Sequence, residues 1–287
     1  MVAILILLAG LLCSSCAYGY QDVFYRSNNV TARTQHGQLY ELTLDEGAPN
    51  IDEADSVYTV AIFTDIHFGK TGHERHEQDF LDWLLELKDQ NQLPKFTICL
   101  GDIADHGYES EFENYNKFTA QIEEITGSKV FNVLGNHDLY NDGWRFYHKL
   151  IYPNASFYHF KTANFSWYFI DNASGSLGTS QYNSIKNSFE NDSSPKIILA
   201  HIPFYGNPNF YFGNFAMQNT DETDKLITLF AKNNVKYFVA GHTHHYYKNS
   251  FDSFTELSVP SILNFKTWAL FTIDEKNGTV KEEIIER

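Results

Sequence analysis

Five short polar motifs, rich in aspartate and histidine, recur along the chain, each directly after an apolar run. In chain order they are Asp65-x-His67, Gly101-Asp102-Ile103-Ala104-Asp105, Gly135-Asn136-His137-Asp138, Ala200-His201 and Gly241-His242-Thr243-His244. Carboxylate oxygen, amide oxygen and imidazole nitrogen are ligands that manganese, iron, zinc and cobalt accept. None of the motifs contains cysteine, which argues against a structural cysteine-rich zinc site. The residue types therefore predict a catalytic metal site that keeps open positions for water.

Each motif taken singly has a plainer explanation. A Gly-Asp pair at the end of a strand is ordinary turn chemistry. A lone histidine in an apolar segment, such as His201, is more often a core residue than a metal ligand. The argument for a metal site therefore depends on the five motifs occurring together and in order.

The apolar runs before the motifs alternate with segments of helical spacing. Strands are predicted at residues 57–63, 96–100, 129–134, 196–200 and 235–240, and helices at 73–92, 110–125, 180–191 and 221–234, with Ser110 as an N-cap. A hairpin is predicted over 157–162 and 166–170, and antiparallel strands from residue 246 onward. This alternation favours an α/β layered domain with a mixed sheet or two packed sheets. Ligands gather at the carboxyl ends of strands in such sheets, so the five motifs should meet on one face.

The ordered motifs resemble those of the calcineurin-like metallophosphoesterase superfamily, over most of residues 57–245. The resemblance implies an α/β fold, a four-layer α/β-β/α sandwich of two mixed β-sheets flanked by helices. It also implies two divalent metal ions, manganese, iron, zinc or cobalt, as cofactors. By motif match, the ligands would be Asp65, His67 and His244 for one ion, Asn136, His201 and His242 for the other, and Asp102 as a bridge.

The resemblance also implies the catalytic roles. A water or hydroxide between the ions would attack phosphorus in line. His137 would protonate the leaving alkoxide or stabilise charge on the phosphoryl oxygens, and Asp138 would orient His137. A histidine titrates in the right range for such a proton transfer. Asp105 could support the ligands and His106 could contact the substrate, although a plain turn explains each equally well.

Differences from some branches of the superfamily indicate which branch this sequence resembles most. Purple acid phosphatases carry a tyrosine a few residues after the Gly-Asp pair, whereas this chain has no tyrosine there before Tyr108. A charge-transfer iron–tyrosinate site is therefore not expected. The compact spacing looks closer to the bacterial branch that includes class III cyclic-nucleotide phosphodiesterases, a heterogeneous branch that does not fix the substrate.

An aromatic stretch follows His201 directly, at residues 202–218. It could form a lid or a substrate wall in which Phe210 and Tyr211 stack on an organic group such as a base. A loop that packs on the core explains the same composition equally well.

The amino-terminal residues predict export. Residues 2–12 form an apolar run of the length of a signal-peptide core, although no lysine or arginine precedes it. We therefore interpret residues 1–19 as a signal, cleaved before Cys16 as in a bacterial lipoprotein or after Gly19 by an ordinary signal peptidase; an uncleaved anchor is the third alternative. The protein would then be a membrane-anchored lipoprotein, or secreted or periplasmic. Residues 20–55 are interpreted as a polar tether and arm, and 56–287 as the metallophosphoesterase domain.

The formal charge of −15 indicates which partners to expect. Duplex nucleic acid needs a basic face, so it is not an expected partner, and a nuclease is disfavoured. A small phosphate ester remains compatible, because bound cations can dominate the local charge. Arg75 and Arg145 are the arginines in motif-bearing loops, and neither makes a compelling clamp for a monoester, so diesters are slightly favoured. The alternative is an exported surface lipoprotein that binds without catalysing; membrane contact would come only through lipidated Cys16.

Overall fold

Two mixed β-sheets pack face to face and carry helices on their outer faces. The computed structural model describes residues 29–54, 56–205 and 216–287. The packing of two sheets between outer helices confirms the predicted four-layer α/β-β/α sandwich.

The smaller sheet has five strands, in the order β12-β11-β2-β3-β4. Their bounds are β2 Val57–Phe63, β3 Phe96–Cys99, β4 Val130–Asn132, β11 Thr267–Asp274 and β12 Thr279–Glu286. Strands β2, β3 and β4 are parallel, whereas β11 is antiparallel to both β2 and β12. The carboxyl ends of the three parallel strands therefore lie at one edge.

The larger sheet has seven strands, in the order β1-β5-β6-β7-β8-β10-β9. Their bounds are β1 Tyr40–Glu41, β5 Tyr158–Lys161, β6 Ser166–Phe169, β7 Lys196–Leu199, β8 Val235–Ala240, β9 Tyr247–Ser250 and β10 Thr255–Ser258. Strands β6, β7, β8 and β10 are parallel, and the β5–β6 pair is the predicted hairpin. The carboxyl-terminal segment is antiparallel within its pairs, as predicted, but β10 joins this sheet parallel to β8 while β11 crosses to the other sheet.

Seven helices lie in the described part of the chain. They are α1 Val30–Arg33, α2 Glu77–Asp89, α3 Glu109–Thr126, α4 Gly143–Leu150, α5 Gly178–Glu190, α6 Thr220–Lys232 and α7 Ile262–Phe265, with short 3-10 turns at Leu44–Glu46 and His137–Leu139. The prediction of Ser110 as an N-cap is wrong. Tyr108 precedes the helix instead, and its backbone N–H donates to the Glu111 carboxylate at 3.0 Å.

Successive side chains of a strand point to opposite faces of the sheet, so one sheet contributes to two hydrophobic cores. In β2, Val60 and Ile62 pack between the two sheets, whereas Ala61 and Phe63 point to the layer of α2, α3 and α4. The outer face of the larger sheet packs on α5 and α6 in the same manner. Because successive side chains of a strand face opposite ways, an apolar run such as β2 is what a strand buried on both faces requires.

Residues 29–54 pack against the larger sheet and do not extend away from it as a tether would. Arg33 is buried and its Nε lies 2.8 Å from Oδ2 of Asp171. Strand β1 pairs with β5, and Leu42 and Ile51 join the core between the sheets. The segment is mostly polar, so its few buried apolar residues were not recognised from the sequence. Residues 1–28, with the predicted signal and Cys16, lie outside the described residues. Within the described ranges, no helix has both the length and the apolar character needed to cross a bilayer.

Candidate metal centre

All five motifs begin at the carboxyl ends of parallel strands. Asp65 and His67 follow β2, Asp102 follows β3, and Asn136 follows β4 in the smaller sheet. His201 follows β7 and the segment from His242 to His244 follows β8 in the larger sheet. The packing of the two sheets brings these ends together, so the motifs surround one site.

The loops that carry the motifs have unusual backbone geometry. Five non-glycine residues there have φ between 46° and 65°, namely Asp65, His67, Asp102, His242 and His244. Left-handed backbone costs energy for residues with a Cβ and tends to mark functional sites. Glycine permits the close packing of these loops, since a Cβ on Gly135 would lie 2.1 Å from the Asp102 nitrogen and one on Gly241 would lie 2.1 Å from Thr64 Oγ1.

Asp65, His67 and His244 form the first cluster of candidate ligands. The Nε2 atoms of the two histidines are 3.3 Å apart, and Asp65 Oδ1 lies 3.3 Å from that of His244 and 3.9 Å from that of His67. Oδ2 of Asp65 accepts from the Thr64 hydroxyl at 2.7 Å and from the His242 backbone at 3.0 Å. Oδ1, in contrast, is buried and has no hydrogen-bond partner among the described residues.

Asp102, His201 and His242 form the second cluster, which Asn136 joins. Nε2 of His201 lies 3.3 Å from Asp102 Oδ1 and 3.1 Å from Asn136 Oδ1. Nδ1 of the same ring is 2.8 Å from the Leu100 carbonyl oxygen. A ring that donates from Nδ1 to a carbonyl keeps its Nε2 lone pair for a metal, as in many metalloproteins.

Asp102 lies between the two clusters. Its Oδ2 is 3.7 Å from His67 Nε2 in the first cluster, and its Oδ1 is 3.3 Å from His201 Nε2 in the second. Oδ1 also accepts the backbone N–H of His137 at 2.8 Å, which fixes the carboxylate. Each oxygen therefore faces a different cluster, which is the position that a bridging ligand requires.

The electrostatics of the clusters suit cations. Burial raises the pKa of Asp65, but the neighbouring His244 and His201 outweigh burial and lower it to about 2. Burial opposes ionisation of Asp102 too, and His201 and His67 nevertheless hold its pKa well below the usual range. Ionised, buried carboxylates facing imidazole nitrogens, with the unpartnered Asp65 Oδ1 among them, are a donor set that fits divalent metals.

His137 lies beside the first cluster and forms a third group of possible metal-binding side chains with His67 and Asp105. Its ring meets that of His67 edge to face, with centroids 4.7 Å apart, and its Nδ1 lies 2.8 Å from the Asp105 backbone oxygen. The His137 side chain is 27% exposed, whereas His201 is fully buried. With Nδ1 donating to the carbonyl, Nε2 is the ring nitrogen that stays available for another partner.

The resemblance implied that Asp138 would orient His137, but the Asp138 carboxylate makes other contacts. Its buried carboxylate accepts the backbone N–H groups of Ala104 at 2.9 Å and Gly135 at 2.8 Å, which joins the loops after β3 and β4. Burial and the neighbouring Asp102 raise the pKa of Asp138 to about 7. Asp105 holds His137 instead, through its backbone oxygen. The Asp105 carboxylate lies 3.3 Å from His67 Nδ1.

The remaining site predictions have different outcomes. His106 is half exposed, stacks on Tyr108 and has its Nδ1 3.0 Å from Glu111 Oε1, so a substrate contact stays a prediction. Phe210 and Tyr211 lie outside the described residues. Two neighbours of the site were not anticipated: Tyr140, whose ring centroid is 4.5 Å from that of His137, and Asn264, whose Nδ2 is 2.7 Å from His244 Nδ1. Tyr140 follows the third motif closely enough to have been considered, whereas nothing in the sequence pointed to Asn264 on the short helix α7.

Comparison with solved structures finds similar folds. A dimetal phosphatase from Danio rerio matches with a TM-score of 0.61 at 13% identity, over 80% of this chain and 98% of the other. A purple acid phosphatase from yellow lupin seeds (Lupinus luteus) matches with a TM-score of 0.56 at 16% identity, over 81% of this chain and 54% of the other. A putative 5'-nucleotidase from Staphylococcus aureus matches with a TM-score of 0.51 at 13% identity, over 80% of this chain and 54% of the other. At these identities the likeness concerns the fold alone.

Sequence comparison identifies the family. Among curated proteins, none matches the chain significantly. The model of the calcineurin-like phosphoesterase family matches residues 58–246, which is well over half of the chain and contains all five motifs. The chain therefore belongs to the calcineurin-like phosphoesterase family, whose members include metal-dependent phosphoester hydrolases.

Proposed function

We propose that the protein hydrolyses small phosphate esters, with a preference for diesters, at two divalent cations held by the two clusters. The observation that carries the proposal is the position of Asp102, with one carboxylate oxygen facing each cluster. Asp65, His67 and His244 would hold one ion, and Asn136, His201 and His242 the other. Two cations bound there would supply the positive charge that a phosphoryl transition state needs and would activate water for attack on phosphorus.

The protein's own groups would position the ester and move the proton. Thr64 and the His242 backbone fix Asp65, while the Leu100 carbonyl fixes the ring of His201. His137 donates from Nδ1 to the Asp105 carbonyl, so its Nε2 can protonate the leaving oxygen or bind a phosphoryl oxygen. A positioned histidine of this kind contributes on the order of 10²–10⁴-fold to a rate.

The test is hydrolysis of bis-p-nitrophenyl phosphate and p-nitrophenyl phosphate by the protein without residues 1–19, loaded with Mn²⁺. We expect activity that requires metal, that is greater with the diester, and that disappears in Asp102→Ala. The matched control is Asp142→Ala, since Asp142 is an exposed carboxylate whose only described ion pair is with Arg145. Metal content measured by mass spectrometry reports the ions bound. Two bound ions without hydrolysis of either ester would contradict the proposal and favour the binding role, and absence of bound metal would contradict the site itself.

The cellular location and the metal identity extend the same proposal. The apolar run at residues 2–12 and the following cysteines support export, with lipidation at Cys16 or cleavage after Gly19. The intact mass of the protein expressed in a bacterial host distinguishes these: Cys16→Ser removes the added lipid mass only if Cys16 is the anchor. The donor set of oxygen and nitrogen accepts manganese, iron, zinc or cobalt. Activity after reconstitution with each metal ranks them.

A further inference from the structure

A groove of about 640 Å³ opens where the end of β12 meets the segment that leads into β9. Three aromatic rings line it, those of His245, Tyr246 and Phe265. The rest of the lining comprises Pro260, Thr267, Ile284, Glu286 and Arg287. Tyr246 is 47% exposed and Phe265 is 45% exposed. Large exposed aromatic side chains gathered in one concave surface are typical of sites that bind a flat organic group.

The groove is built from the same segments as the metal site. His245 follows the candidate ligand His244 directly, and Phe265 follows Asn264, whose amide lies 2.7 Å from His244 Nδ1. Pro260 precedes Ser261, whose hydroxyl donates to the Asp65 carbonyl at 2.9 Å and whose N–H donates to the His244 carbonyl at 3.1 Å. The wall of the groove and the first cluster are therefore held in a fixed relation.

The two nitrogens of the His67 ring face different neighbours. Nε2 of His67 faces His244, at 3.3 Å, and His244 directly precedes His245 in the wall of the groove. Nδ1 of His67 faces Asp105, at 3.3 Å, and Asp105 also holds His137. A phosphodiester carries two organic groups, of which one leaves and one is retained. If the leaving oxygen is near His137, the retained group extends away from it, on the side of His244.

We propose that this groove binds the retained organic group of a phosphodiester, and that the group it accepts is a planar aromatic ring. The inference rests on the proposed function, because it assigns a substrate class to the same site. It also gives a structural reason for a preference for diesters, since a monoester has no second organic group to occupy the groove. An aryl ester and a nucleoside ester offer the same chemistry here, namely a flat ring that packs against Tyr246 and Phe265.

The experiment compares two diesters with the same leaving group, bis-p-nitrophenyl phosphate and methyl p-nitrophenyl phosphate. Both release p-nitrophenolate, but one retains an aryl group and the other a methyl group. In the double variant Tyr246→Ala, Phe265→Ala we expect kcat/KM for the bis-aryl ester to fall by about 10-fold, from lost ring contact and apolar burial. The value for the methyl ester should change by less than about twofold, because it makes no such contact. The variant Tyr246→Leu, Phe265→Leu keeps bulk in the groove and should show an intermediate loss.

Tyr40→Ala is the matched control, since Tyr40 is an exposed aromatic residue on β1, at the opposite edge of the larger sheet from β9. Equal losses for both diesters would overturn the proposal, because they would place the leaving group in the groove or indicate damage to the metal site. Unchanged rates for both would overturn it as well. A nucleoside p-nitrophenyl ester, tested in the same variants, shows whether a base ring uses the groove as an aryl ring does.

A binding measurement tests the groove even if the protein hydrolyses neither diester. If the metal-loaded protein hydrolyses neither diester, binding of diphenyl phosphate and dimethyl phosphate is measured by calorimetry. Weaker binding of the diphenyl ester alone in the double variant supports the groove as an aromatic subsite. Equal binding of the diphenyl ester by the wild-type protein and the variant excludes it.

Discussion

Glu256 on β10 gives a stability prediction that does not depend on catalysis. Its side chain is completely buried, with Oε1 accepting the Phe204 N–H at 2.6 Å and Oε2 accepting from Asn249 Nδ2 at 2.8 Å. Burial raises its pKa to about 7, against an ordinary value of 4.5, and the hydrogen bonds offset only part of that increase. The folded protein therefore binds a proton at Glu256 more tightly than the unfolded chain does.

The sign follows from proton linkage. A raised folded-state pKa contributes stability that is fully present below about pH 4.5 and is lost as the pH rises through about 7. A difference of two to three pKa units corresponds to roughly 3–4 kcal/mol at most, since one unit is about 1.4 kcal/mol. Relaxation of the protein around the charge reduces this, so we expect an effect of about 1–3 kcal/mol.

Glu256→Gln isolates the effect, because glutamine has the shape of the protonated acid and does not titrate. Its amide oxygen can accept from Phe204, and the Asn249 amide can turn to present its oxygen to the new NH₂ group. We expect the variant to match the wild-type protein near pH 5 and to be more stable by about 1–3 kcal/mol at pH 8. Urea unfolding at four pH values between 5 and 8 gives the difference directly, and other titrating groups cancel in it. Glu113→Gln, at an exposed position on α3, is the control. A difference between variant and wild type that does not change with pH would refute the reasoning.

Three further predictions concern the site. Asp105→Asn should lower kcat by about 10–100-fold with both metals still bound, because the Asp105 carboxylate lies 3.3 Å from His67 Nδ1 and 3.7 Å from His137 Nδ1. A shift in the pH–rate profile separates this positioning role from misfolding. His137→Ala should lower kcat by about 10²–10⁴-fold for esters of poorly acidic alcohols and less for p-nitrophenyl esters, whose leaving group needs little protonation; equal losses for both would exclude proton donation. Removal of metal with a chelator should lower the unfolding temperature of the wild-type protein and leave that of Asp102→Ala nearly unchanged, since ligands that bind only the folded state stabilise it; equal shifts in both proteins would place the stabilising ion elsewhere.

The sequence predicted the parts of the fold that depend on local pattern. Strand β8 was predicted with its observed bounds, and α2, α3, α5 and α6 were each found within a few residues of their predicted limits. Such elements have strong periodicity or buried apolar runs that few other structures satisfy. Helix α4 was missed although it is amphipathic, because it is only eight residues long and begins at a glycine.

The sequence was least informative where contacts join distant segments. The Asp138 carboxylate bonds to Ala104 and Gly135, which no pattern around residue 138 reveals. Asn264 reaches His244 from α7, and residues 29–54 reach the core through a few apolar side chains in a polar stretch. The candidate ligands, by contrast, could be named in advance because each follows a strand whose end the apolar pattern marks.

The charges at this site predict that metal ions bind before the phosphate ester. The formal charge of the chain is −15, and two basic side chains in the loop after the first motif, Arg75 and Lys70, face acidic partners. Arg75 bonds to Glu77 and to the His67 carbonyl, and Lys70 Nζ lies 3.5 Å from Asp105 Oδ1. The Arg75 guanidinium and the Lys70 ammonium are therefore engaged before metal binds, while the neighbouring histidines hold Asp65 and Asp102 ionised. The ionised carboxylates favour cations at this site, so the metal-loaded protein should bind the anionic ester more tightly than the metal-free protein does.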